Sequence, residues 1–358
     1  MVSVIIVNYQ SARLTRRAVD SVLSDGEPAE VLVVDNTATR EERGTLEKLL
    51  PPVTRLIFND TNEGFAKACN RAFAESRGKW IFLLNPDAYL LPGALRTLRE
   101  FLVDNPAVGA AAPRTYWDYE RTFLLPPSIF PSPYDELRIQ LGRLSGNFRS
   151  LASRLNRWRS IKAWSSSSPM RQKALSGGNV MIRRSAVEKC GGLFDDIFFM
   201  YYEDSDLMMR LVKAGYALFL VPDAEAVHNY AHTGDKIDLM IQSKRLYFQK
   251  HFRHSAVLKI AEEISARTTD KVSAGSTPPG PGREPIRVSI PDRFQRRWLY
   301  EWSPNATLIP SVGRFGSGPV LEFPADSWEL LGPGTYYSRI SDPEKILSRG
   351  ICWSWVKE

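Results

Sequence analysis

Short hydrophobic runs alternate with segments of helical period over the first 112 residues of the chain. The apolar runs predict five strands, at 2–8, 30–35, 53–58, 79–84 and 108–112. The amphipathic segments between them predict four helices, at 11–24, 40–50, 63–77 and 93–103. This alternation predicts an α/β fold whose sheet is mostly parallel and is flanked by helices. Right-handed crossovers would place the carboxyl ends of the strands along one edge.

Polar residues follow three of these strands at the edge where open α/β sheets bind ligands. Trp80 to Leu84 form an unbroken apolar run that is typical of a strand buried on both faces, and Pro86 prevents its continuation. The three polar strand ends are Asn8-Tyr9, Asp35-Asn36-Thr37 and Asn85-Pro86-Asp87. We expect these side chains to surround a single ligand.

Residues 114–175 interrupt the alternating pattern. They are rich in proline at 126–133, and the stretch 137–187 contains eleven Lys or Arg and no acidic residue. One interpretation is a solvated, irregular insertion. The other is a basic amphipathic surface that meets anionic lipid headgroups or a lipid-linked acceptor, because Leu, Ile and Trp are interspersed with the arginines.

Regular structure resumes in the second half of the chain. The pattern there predicts structured residues at 174–187, a helix at 203–214, a strand at 217–221 and a helical region at 236–266. Residues 267–285 have the Pro- and Gly-rich composition of a linker. Beyond them, short β-type runs predict a small antiparallel module. We therefore expect a domain at 1–266 that contains the insertion, a linker, and a β-rich module at 286–358.

Composition and charge limit the class of protein. Of the 358 residues, 43% are hydrophobic and 24% are charged, and no apolar run approaches the roughly 18 residues of a membrane span. The first residues lack the basic region and cleavage site of a signal peptide. The three cysteines fit no disulfide framework or zinc spacing, which favours a cytoplasmic protein, with the inner face of the cell membrane as a further location. The net charge of +7 favours anionic partners in general.

Several short motifs occur in an order that resembles glycosyltransferase family 2, the inverting GT-A enzymes, and in particular its rhamnosyltransferase-like branch. The resemblance spans about residues 2–255. The motifs are Val4-Ile5-Ile6-Val7-Asn8-Tyr9, Val33-Val34-Asp35-Asn36-Thr37, Asn59 to Asn70 with Asn62-Glu63-Gly64-Phe65-Ala66, Leu84-Asn85-Pro86-Asp87, Ser176-Gly177-Gly178-Asn179, Gly191-Gly192-Leu193-Phe194-Asp195 and Tyr202-Glu203-Asp204-Ser205-Asp206-Leu207. The resemblance implies a GT-A, Rossmann-like fold and transfer of a sugar from a nucleotide-sugar donor.

The resemblance also implies a divalent cation, Mg²⁺ or Mn²⁺, on the donor diphosphate. Asp87 is the expected ligand, because hard cations prefer carboxylate oxygens. Asn85 stands where the family's Asp-x-Asp motif has its first acid. His228 lies where the family often has a metal or diphosphate ligand, and His232 follows it at a weaker position. The alternatives are a helix cap for Asp87 and an ordinary surface histidine for His228.

Asp204 is the expected catalytic base. On a helix that begins near residue 203 it shares a face with Leu207 and Leu211, and partial burial would raise its pKa toward that of a working base. Its alternative role is to complement the helix dipole. Asp206 points elsewhere and is expected to pair with Arg210. Glu203 either orients the acceptor or caps the helix.

The remaining candidates are donor-binding residues. The resemblance implies that Asp35 accepts a hydrogen bond from the imide N–H of uracil or thymine, although an Asp-Asn pair also favours a turn. Asn8 and Tyr9 are expected to flank the base. Six further candidates lie on the loops and the helix that follow the strands: Asn36, Asn62, Gly64, Asn70, Gly177 and Gly178. The glycines would let the backbone approach the nucleotide and the sugar, or would form ordinary turns.

The leading hypothesis is therefore an inverting hexosyltransferase that uses a UDP- or dTDP-sugar, with rhamnose favoured, and acts on a glycan or lipid-linked saccharide in cell-surface polysaccharide synthesis. A nicotinamide-dependent enzyme is excluded because no Gly-x-Gly-x-x-Gly follows the first strand. Nucleic acid is not an expected partner, since the basic run is confined to one insertion. A non-catalytic carbohydrate-binding or assembly protein remains the alternative.

The C-terminal module carries an aromatic cluster. Its members are Trp298, Trp302, Trp328, Tyr336, Tyr337, Trp353 and Trp355. They could build a small β core, which is the favoured interpretation, or stack on sugars. The module is also a candidate surface for homo-oligomer formation.

Overall fold

The chain forms two compact units in the computed structural model, which describes residues 1–229, 237–267, 282, 284–345 and 350–358. The first unit comprises Met1–Thr115, Ser128–Phe130 and Ser166–Arg253, and the second comprises Tyr116–Pro127, Pro131–Ser165 and His254–Glu358. The expected division after residue 266 therefore differs from the observed one. Most of the expected insertion belongs to the second unit, and most of the expected linker lies outside the described residues.

The first ten elements follow the predicted alternation closely. They are β1 (Val2–Asn8), α1 (Ala12–Leu23), β2 (Ala29–Asp35), α2 (Arg40–Leu49), β3 (Thr54–Phe58), α3 (Phe65–Glu75), β4 (Trp80–Leu84), β5 (Ala88–Leu90), α4 (Ala94–Asp104) and β6 (Val108–Tyr116). The predicted boundaries agree to within two residues, except that β6 is longer and β5 was not predicted. Local signals explain this agreement; at α2, for example, the Thr39 side chain accepts a hydrogen bond from the Glu42 N–H.

Two helices then occupy the stretch for which one interpretation was an irregular insertion. These are α5 (Pro133–Leu144) and α6 (Gly146–Trp164). The interpretation as irregular structure is therefore wrong for these residues. Ser132 caps α5 by accepting a hydrogen bond from the Asp135 N–H, and a proline occupies the first turn, where its missing N–H costs nothing.

The rest of the first unit completes the sheet. Its elements are β7 (Met170–Gln172), β8 (Asn179–Arg183), α7 (Arg184–Lys189), α8 (Glu203–Lys213), β9 (Ala217–His228) and α9 (Ile237–Phe252). β9 continues seven residues beyond the predicted strand. That extension carries His228 to the strand's end.

The sheet of the first unit is mixed, with nine strands in the described part of the chain. The strand order is β3-β2-β1-β4-β8-β6-β9-β5, and β7 pairs with β9. The pairs among β3, β2, β1 and β4 are parallel, whereas β8 pairs antiparallel with both β4 and β6. The expected fold class is confirmed, with the difference that β8 runs antiparallel to both of its neighbours. Val4, Ile6, Val33 and Phe82 lie in its core and are fully buried.

Strand register determines which polar residues meet at the edge of this sheet. Asn8 pairs with Asp35 at the ends of β1 and β2. Ala88 pairs with His228 where β5 runs antiparallel to β9. The residue before Ala88 is Asp87, so this register places the predicted acidic ligand beside the predicted histidine.

The second unit contains the C-terminal β module and the helix pair α5 and α6. Its other elements are α10 (Ala256–Arg267), β10 (Arg287–Ser289), α11 (Asp292–Gln295), β11 (Trp298–Ser303), β12 (Val312–Gly316), β13 (Val320–Glu322), α12 (Ala325–Glu329), β14 (Gly334–Ser341) and β15 (Ile351–Lys357). The pairs β10–β13, β11–β12, β11–β14 and β14–β15 are all antiparallel, as predicted. Most of the aromatic cluster is core: Trp298, Trp302, Trp328 and Trp355 are at most 5% exposed.

Buried charges connect α6 to the β module within the second unit. The Glu301 carboxylate accepts two 2.7 Å hydrogen bonds from the Arg339 guanidinium and lies 3.3 Å from the Arg157 Nε. All three side chains are almost completely removed from solvent. Burial lowers the pKa of Arg157, whereas the Glu301 carboxylate raises the pKa of Arg339. Removal of one member of such a buried charge cluster leaves its partners charged and unpaired, which strongly destabilises the fold.

We expect Glu301→Gln to destabilise the second unit by about 3–5 kcal/mol, because it leaves two arginine charges buried without their anion. Eight of the nine tryptophans belong to this unit, so tryptophan fluorescence during urea unfolding reports on it. The matched control is Glu322→Gln, whose exposed carboxylate pairs with Arg287 and should contribute less than about 1 kcal/mol. Equal unfolding midpoints for the two variants would contradict this role of Glu301.

None of the helices within the described residues is both long and apolar enough to cross a bilayer.

Candidate active site

Asp87 and His228 form a close pair at the edge of the sheet. His228 Nε2 lies 3.1 Å from Asp87 Oδ1, and the Asn229 N–H donates a 3.1 Å hydrogen bond to the Asp87 carbonyl. The His228 side chain is only 3% exposed, whereas that of Asp87 is 30% exposed. Neither alternative role applies, because Asp87 caps no helix and His228 is not on the surface.

Gly178 allows this pair to approach a second segment of backbone. A Cβ at position 178 would stand 2.6 Å from His228 Cε1 and 3.0 Å from Asn85 Nδ2. The Gly178 carbonyl also accepts a 2.8 Å hydrogen bond from the Asn85 N–H. The absence of a side chain at position 178 therefore lets the backbone pass close to His228 and Asn85, and its close approach to a sugar stays a prediction.

Asp204 lies against the neighbouring glycine. Its Oδ2 accepts a 3.0 Å hydrogen bond from the Gly177 N–H, and its Oδ1 accepts one of 2.6 Å from the Ser205 N–H. A Cβ at Gly177 would stand 3.0 Å from the Asp204 Cβ, so this glycine also allows a close protein contact. The helical face predicted for Asp204 is correct, since Leu207 and Leu211 on that face are fully buried.

The dipeptide Gly177-Gly178 thus lies between the two acidic residues. One of its members contacts Asp204, and the other contacts Asn85 and His228, which in turn adjoins Asp87. The sequence placed these groups far apart along the chain, and the fold brings them to the same edge. Two carboxylates near one another can divide cation binding and proton transfer between them.

The donor set at Asp87 and His228 suits a divalent cation. Two adjacent ligands of an octahedral ion at about 2.1 Å would themselves be about 3.0 Å apart, close to the observed separation of 3.1 Å. Imidazole nitrogen and carboxylate oxygen are both ligands for Mn²⁺, and the oxygen also suits Mg²⁺. Within the described residues no group of three or more His, Cys, Asp or Glu forms a metal site, so the diphosphate would have to supply further ligands. His232 lies outside the described residues.

The surroundings of Asp204 raise its pKa, as expected for a base. Desolvation by burial is the dominant cause, and the hydrogen bonds from Gly177 and Ser205 oppose it. The Oδ2 atom still has a lone pair for an incoming proton, whereas Oδ1 also accepts a 3.3 Å hydrogen bond from the Ser205 hydroxyl. The arrangement combines a base strengthened by burial with donors that fix its orientation.

Glu203, by contrast, is buried and is only 6% exposed. Burial, together with the charge of Asp204, raises its pKa to about 8, so the side chain is largely protonated at neutral pH. Its Oε2 atom has no hydrogen-bond partner. The two preceding residues, Tyr201 and Tyr202, adopt left-handed backbone conformations with φ of 71° and 65°, which are strained for non-glycine residues. The burial of Glu203 and the strained backbone before it therefore lower the stability of the fold directly beside the proposed base.

We expect Glu203→Gln to stabilise the protein more at pH 8 than at pH 5. An unfolded glutamate ionises near pH 4.5 but the folded one only near pH 8, so its contribution to the free energy of unfolding falls across that interval. Glutamine removes this loss, which at pH 8 amounts to at most roughly 4 kcal/mol. Thermal melts at both pH values measure the difference.

The control for that experiment is Glu41→Gln, an exposed residue in the first turn of α2. It should change the melting temperature by the same small amount at both pH values. A pH-independent effect of Glu203→Gln would show that Glu203 ionises normally in the folded protein.

Asp35 is fully buried and keeps one carboxylate oxygen without a partner. Its Oδ1 accepts hydrogen bonds from Asn8 Nδ2 at 3.2 Å and from the Thr37 N–H at 3.0 Å, while Oδ2 accepts none. A buried acceptor in this state suits a ligand donor. Asn8 itself is saturated, because its other hydrogen bonds go to Glu42, Ser11 and Thr15. It positions Asp35 and has no group left for a base, whereas Tyr9 is 49% exposed.

Three asparagines order the loops after β2 and β3. The Asn36 side chain donates to Asn62 Oδ1 at 2.8 Å and accepts from Asn59 Nδ2 at 2.9 Å. It also bonds the backbone of Glu63 and Gly64. These bonds occupy Asn36, so its direct contact with a nucleotide is not supported. Asn62 is exposed and retains its amide donors.

Gly64 and Asn70 contact a protein loop. Gly64 has a φ of +84°, and a Cβ there would stand 2.5 Å from the Phe199 carbonyl oxygen. Asn70 donates to the Phe194 carbonyl and accepts from the Phe194 N–H, both at 2.9 Å. It also donates to Asp196. Both residues therefore hold the loop that leads into α8, and their contact with the donor stays a prediction.

Asp206 has the structural role that the sequence predicted, within a larger network. Its Oδ2 accepts a 2.8 Å hydrogen bond from Arg210, and its Oδ1 lies 2.6 Å from Lys250 Nζ and 2.7 Å from His251 Nε2. These hydrogen bonds hold its pKa well below the usual range. No local pattern indicated Lys250 and His251 as partners, because they lie on α9, about 45 residues away. Together they fix the start of α8, where Asp204 lies.

Comparison with solved structures gives a similarity of limited extent. A mannosyltransferase from Pyrobaculum calidifontis, solved in complex with GDP-Man and Mn²⁺, has a TM-score of 0.46, 19% identity and coverage of 74% of each chain. S. aureus TarS 1-349 in complex with UDP has a TM-score of 0.43 and 14% identity, over 74% of this chain and 70% of that one. Similarity at this level carries no argument about activity.

Sequence comparison with curated proteins is more informative. The chain is 30% identical to N-acetylglucosaminyl-diphospho-decaprenol L-rhamnosyltransferase of Mycobacterium tuberculosis over 246 residues, which are 64% of this chain and 76% of that protein. It is 35% identical to rhamnosyltransferase WbbL of Escherichia coli over 99 residues, which are 28% of this chain and 35% of that protein.

Two family models match overlapping parts of the chain. Glycosyl transferase family 2 matches residues 3–191, more than half of the sequence. Glycosyl transferase family group 2 matches residues 144–260, which include Asp204 and His228. Together with the mixed sheet and the rhamnosyltransferase relatives, these matches show that the chain belongs to glycosyltransferase family 2.

Proposed function

We propose that this protein is an inverting glycosyltransferase that transfers a hexose, with rhamnose favoured, from a UDP- or dTDP-sugar to a lipid-linked saccharide. The observation that carries the proposal is the position of Asp204 and of the Asp87–His228 pair on either side of Gly177-Gly178. Sugar transfer needs both a means to neutralise the leaving diphosphate and a base for the acceptor hydroxyl.

Asp204 acts as the base in this proposal. The acceptor oxygen attacks the anomeric carbon, the bond from that carbon to the diphosphate oxygen breaks, and the hydroxyl proton moves to an Asp204 oxygen. A single displacement of this kind inverts the anomeric configuration. The raised pKa of Asp204 favours proton acceptance, and its backbone hydrogen bonds keep the carboxylate oriented.

Asp87 and His228 would hold Mg²⁺ or Mn²⁺ on the donor diphosphate. Such an ion, when bound, would neutralise charge that develops on the leaving group. The side chains are arranged for this task without large movement, because the antiparallel pairing of β5 with β9 fixes their backbones. Asn85 adds a neutral amide near His228, where the family's motif has an acid.

The Asp35 Oδ2 atom, which has no hydrogen-bond partner, supports recognition of a uracil or thymine base. Both bases present an imide N–H, which is the donor that a buried carboxylate oxygen without a partner would accept. Cytosine and adenine present no such N–H at that position, so we expect discrimination against their nucleotides. Tyr9 follows Asn8 at the end of the same strand and is exposed enough to cover one face of the base.

The proposed acceptor follows from the relatives. The M. tuberculosis relative is named as a rhamnosyltransferase that acts on N-acetylglucosaminyl-diphospho-decaprenol, a saccharide linked to a lipid. A diphospho-lipid acceptor of this class would place the reaction in the synthesis of a cell-surface polysaccharide.

The experiment is a screen of nucleotide sugars with a short-chain diphospho-lipid saccharide, with and without Mn²⁺. We expect consumption of one UDP- or dTDP-sugar, stimulation by Mn²⁺, and a product whose anomeric configuration, determined by NMR, is opposite to that of the donor. A product with retained configuration, or consumption only of GDP- or CMP-sugars, would overturn the proposal.

A further inference from the structure

One face of α6 carries a stripe of large apolar side chains that is exposed to solvent. Phe148, Leu151, Leu155 and Trp158 follow one another at spacings of three, four and three residues, and each is between 44% and 50% exposed. At 100° per residue, these positions lie within an arc of about 80°. The opposite face supplies the buried residues of the helix, such as Ile161 and Trp164. The stripe is therefore additional to the face that packs into the second unit.

Basic residues flank this stripe on both sides. Arg154 and Arg159 lie within about 40° of its two edges, and Lys162 continues it by one further turn. The Lys162 ammonium lies 5.6 Å from the centre of the Trp158 ring. No acidic residue occurs anywhere in α6. The exposed face is thus apolar along its centre and cationic along its margins.

The preceding helix lines a groove beside this stripe within the second unit. Its Tyr134, at the start of α5, is 74% exposed. The groove between the two helices is shallow, with a volume of about 140 Å³, and its lining is apolar except for Arg138 and the Tyr134 hydroxyl. Arg138 pairs with Asp135 at 2.9 Å, so the groove offers mainly apolar contact, which can accept part of an acyl chain.

The charges decide between two occupants of the surface. The spacing of the stripe is also that of a coiled-coil seam, which a second copy of the chain could cover. Such a pair would oppose arginine to arginine along its flanks, since α6 has no acid to alternate with them. Anionic lipid headgroups instead match the cations, while the interface region of the bilayer accepts the apolar stripe and Trp158.

We propose that the exposed face of α5 and α6 docks on an anionic membrane surface. The helices would lie in the plane of the interface, with the apolar stripe among the upper acyl carbons and Arg154, Arg159 and Lys162 at the level of the phosphates. This interaction is independent of the sugar-transfer chemistry. Where the acceptor is lipid-linked, it would hold the enzyme at the surface that carries the acceptor.

The test is co-sedimentation of the full chain with vesicles. Phosphatidylcholine mixed with phosphatidylglycerol should bind the protein at least about tenfold more strongly than phosphatidylcholine alone, and raised salt should weaken the binding. Leu155→Gln/Trp158→Gln should lose most of the binding by removing the stripe. Arg154→Gln/Arg159→Gln/Lys162→Gln should lose the preference for the anionic lipid.

Two matched controls keep the result specific. Arg287→Gln/Arg296→Gln removes exposed cations from the same unit, and Leu14→Gln/Val53→Gln removes exposed apolar side chains from the first unit. Both should bind vesicles as the parent chain does, and circular dichroism should confirm that all variants are folded. Absence of binding by the parent chain, or binding that the controls lower equally, would overturn the proposal.

Size-exclusion chromatography of the same proteins tests whether a second copy of the chain covers this face instead of a membrane. A dimer of the parent chain that Leu155→Gln/Trp158→Gln converts to a monomer, without vesicle binding, would assign the face to a second copy and overturn membrane docking. Donor consumption with a water-soluble acceptor should be unchanged in the stripe variant, so failure of docking and failure of the proposed activity give different results.

Discussion

Asp204→Asn is expected to lower the rate of sugar transfer by at least about 1,000-fold, the upper part of the range for loss of a positioned general base. Asparagine keeps the shape of the side chain and can still accept the hydrogen bond from the Gly177 N–H. It has no basic oxygen for the acceptor's proton. Donor binding should persist, because the proposed cation ligands and Asp35 are unchanged. Turnover with a saturating donor and calorimetric binding of the nucleoside diphosphate measure the two effects.

The control for this variant is Asp104→Asn at the exposed end of α4, which should leave both quantities unchanged. The Asp204 variant should also show no gain in activity as the pH rises, because amide nitrogen does not titrate in this range. Turnover within about tenfold of the parent chain would show that another group accepts the proton.

Asp87→Asn and His228→Ala are expected to abolish stimulation by low concentrations of Mn²⁺. Each removes one of the two protein ligands, so the loss of metal affinity should exceed the roughly 10- to 100-fold that follows loss of an outer-shell partner. Because the diphosphate depends on the ion for its charge balance, transfer should fall by at least about 100-fold at low Mn²⁺. Titration of Mn²⁺ against activity, and against nucleoside diphosphate binding, provides the measurement.

Partial recovery at high Mn²⁺ is part of this prediction, since the remaining ligand and the diphosphate can still hold the ion weakly. His254→Ala serves as the control because His254 belongs to the second unit and is not one of the proposed site residues. Equal apparent affinity for Mn²⁺ in the parent chain and in Asp87→Asn would contradict the metal assignment.

The order of elements in the first unit could be predicted because local signals determine it. The strand β4 is an unbroken apolar run, β1 and β2 are apolar over most of their length, and the helices between the strands have an apolar face. The sequence also identified Asp206 with Arg210, a pair that depends only on helical spacing. The sequence alone shows which residues of a helix lie one turn apart and can therefore pair.

Contacts between distant segments could not be predicted in this way. The bond from Asn70 to Phe194, the approach of Gly64 to Phe199 and the pairing of Asp206 with His251 each join residues far apart in the chain. The residue types alone suggested ligand contacts for Asn70 and Gly64, because loop asparagines and glycines serve both purposes. Only the fold shows that both residues contact protein atoms.

The division of the chain into two units also depends on contacts between distant segments, which the sequence does not show. The basic stretch after residue 114 reads as an insertion because it interrupts a regular pattern. The structure instead joins it to the C-terminal module through the buried Arg157–Glu301–Arg339 cluster. A buried arginine cannot be distinguished from an exposed one by sequence when its partner lies 144 residues further along the chain.

A crystal structure of Asp204→Asn with Mn²⁺ and an intact UDP- or dTDP-sugar tests the central claim most directly, because this variant should bind the donor without consuming it. The account predicts Mn²⁺ on Asp87 and His228, and residue 204 facing the anomeric carbon. A metal held by other residues, or an anomeric carbon remote from residue 204, would contradict it.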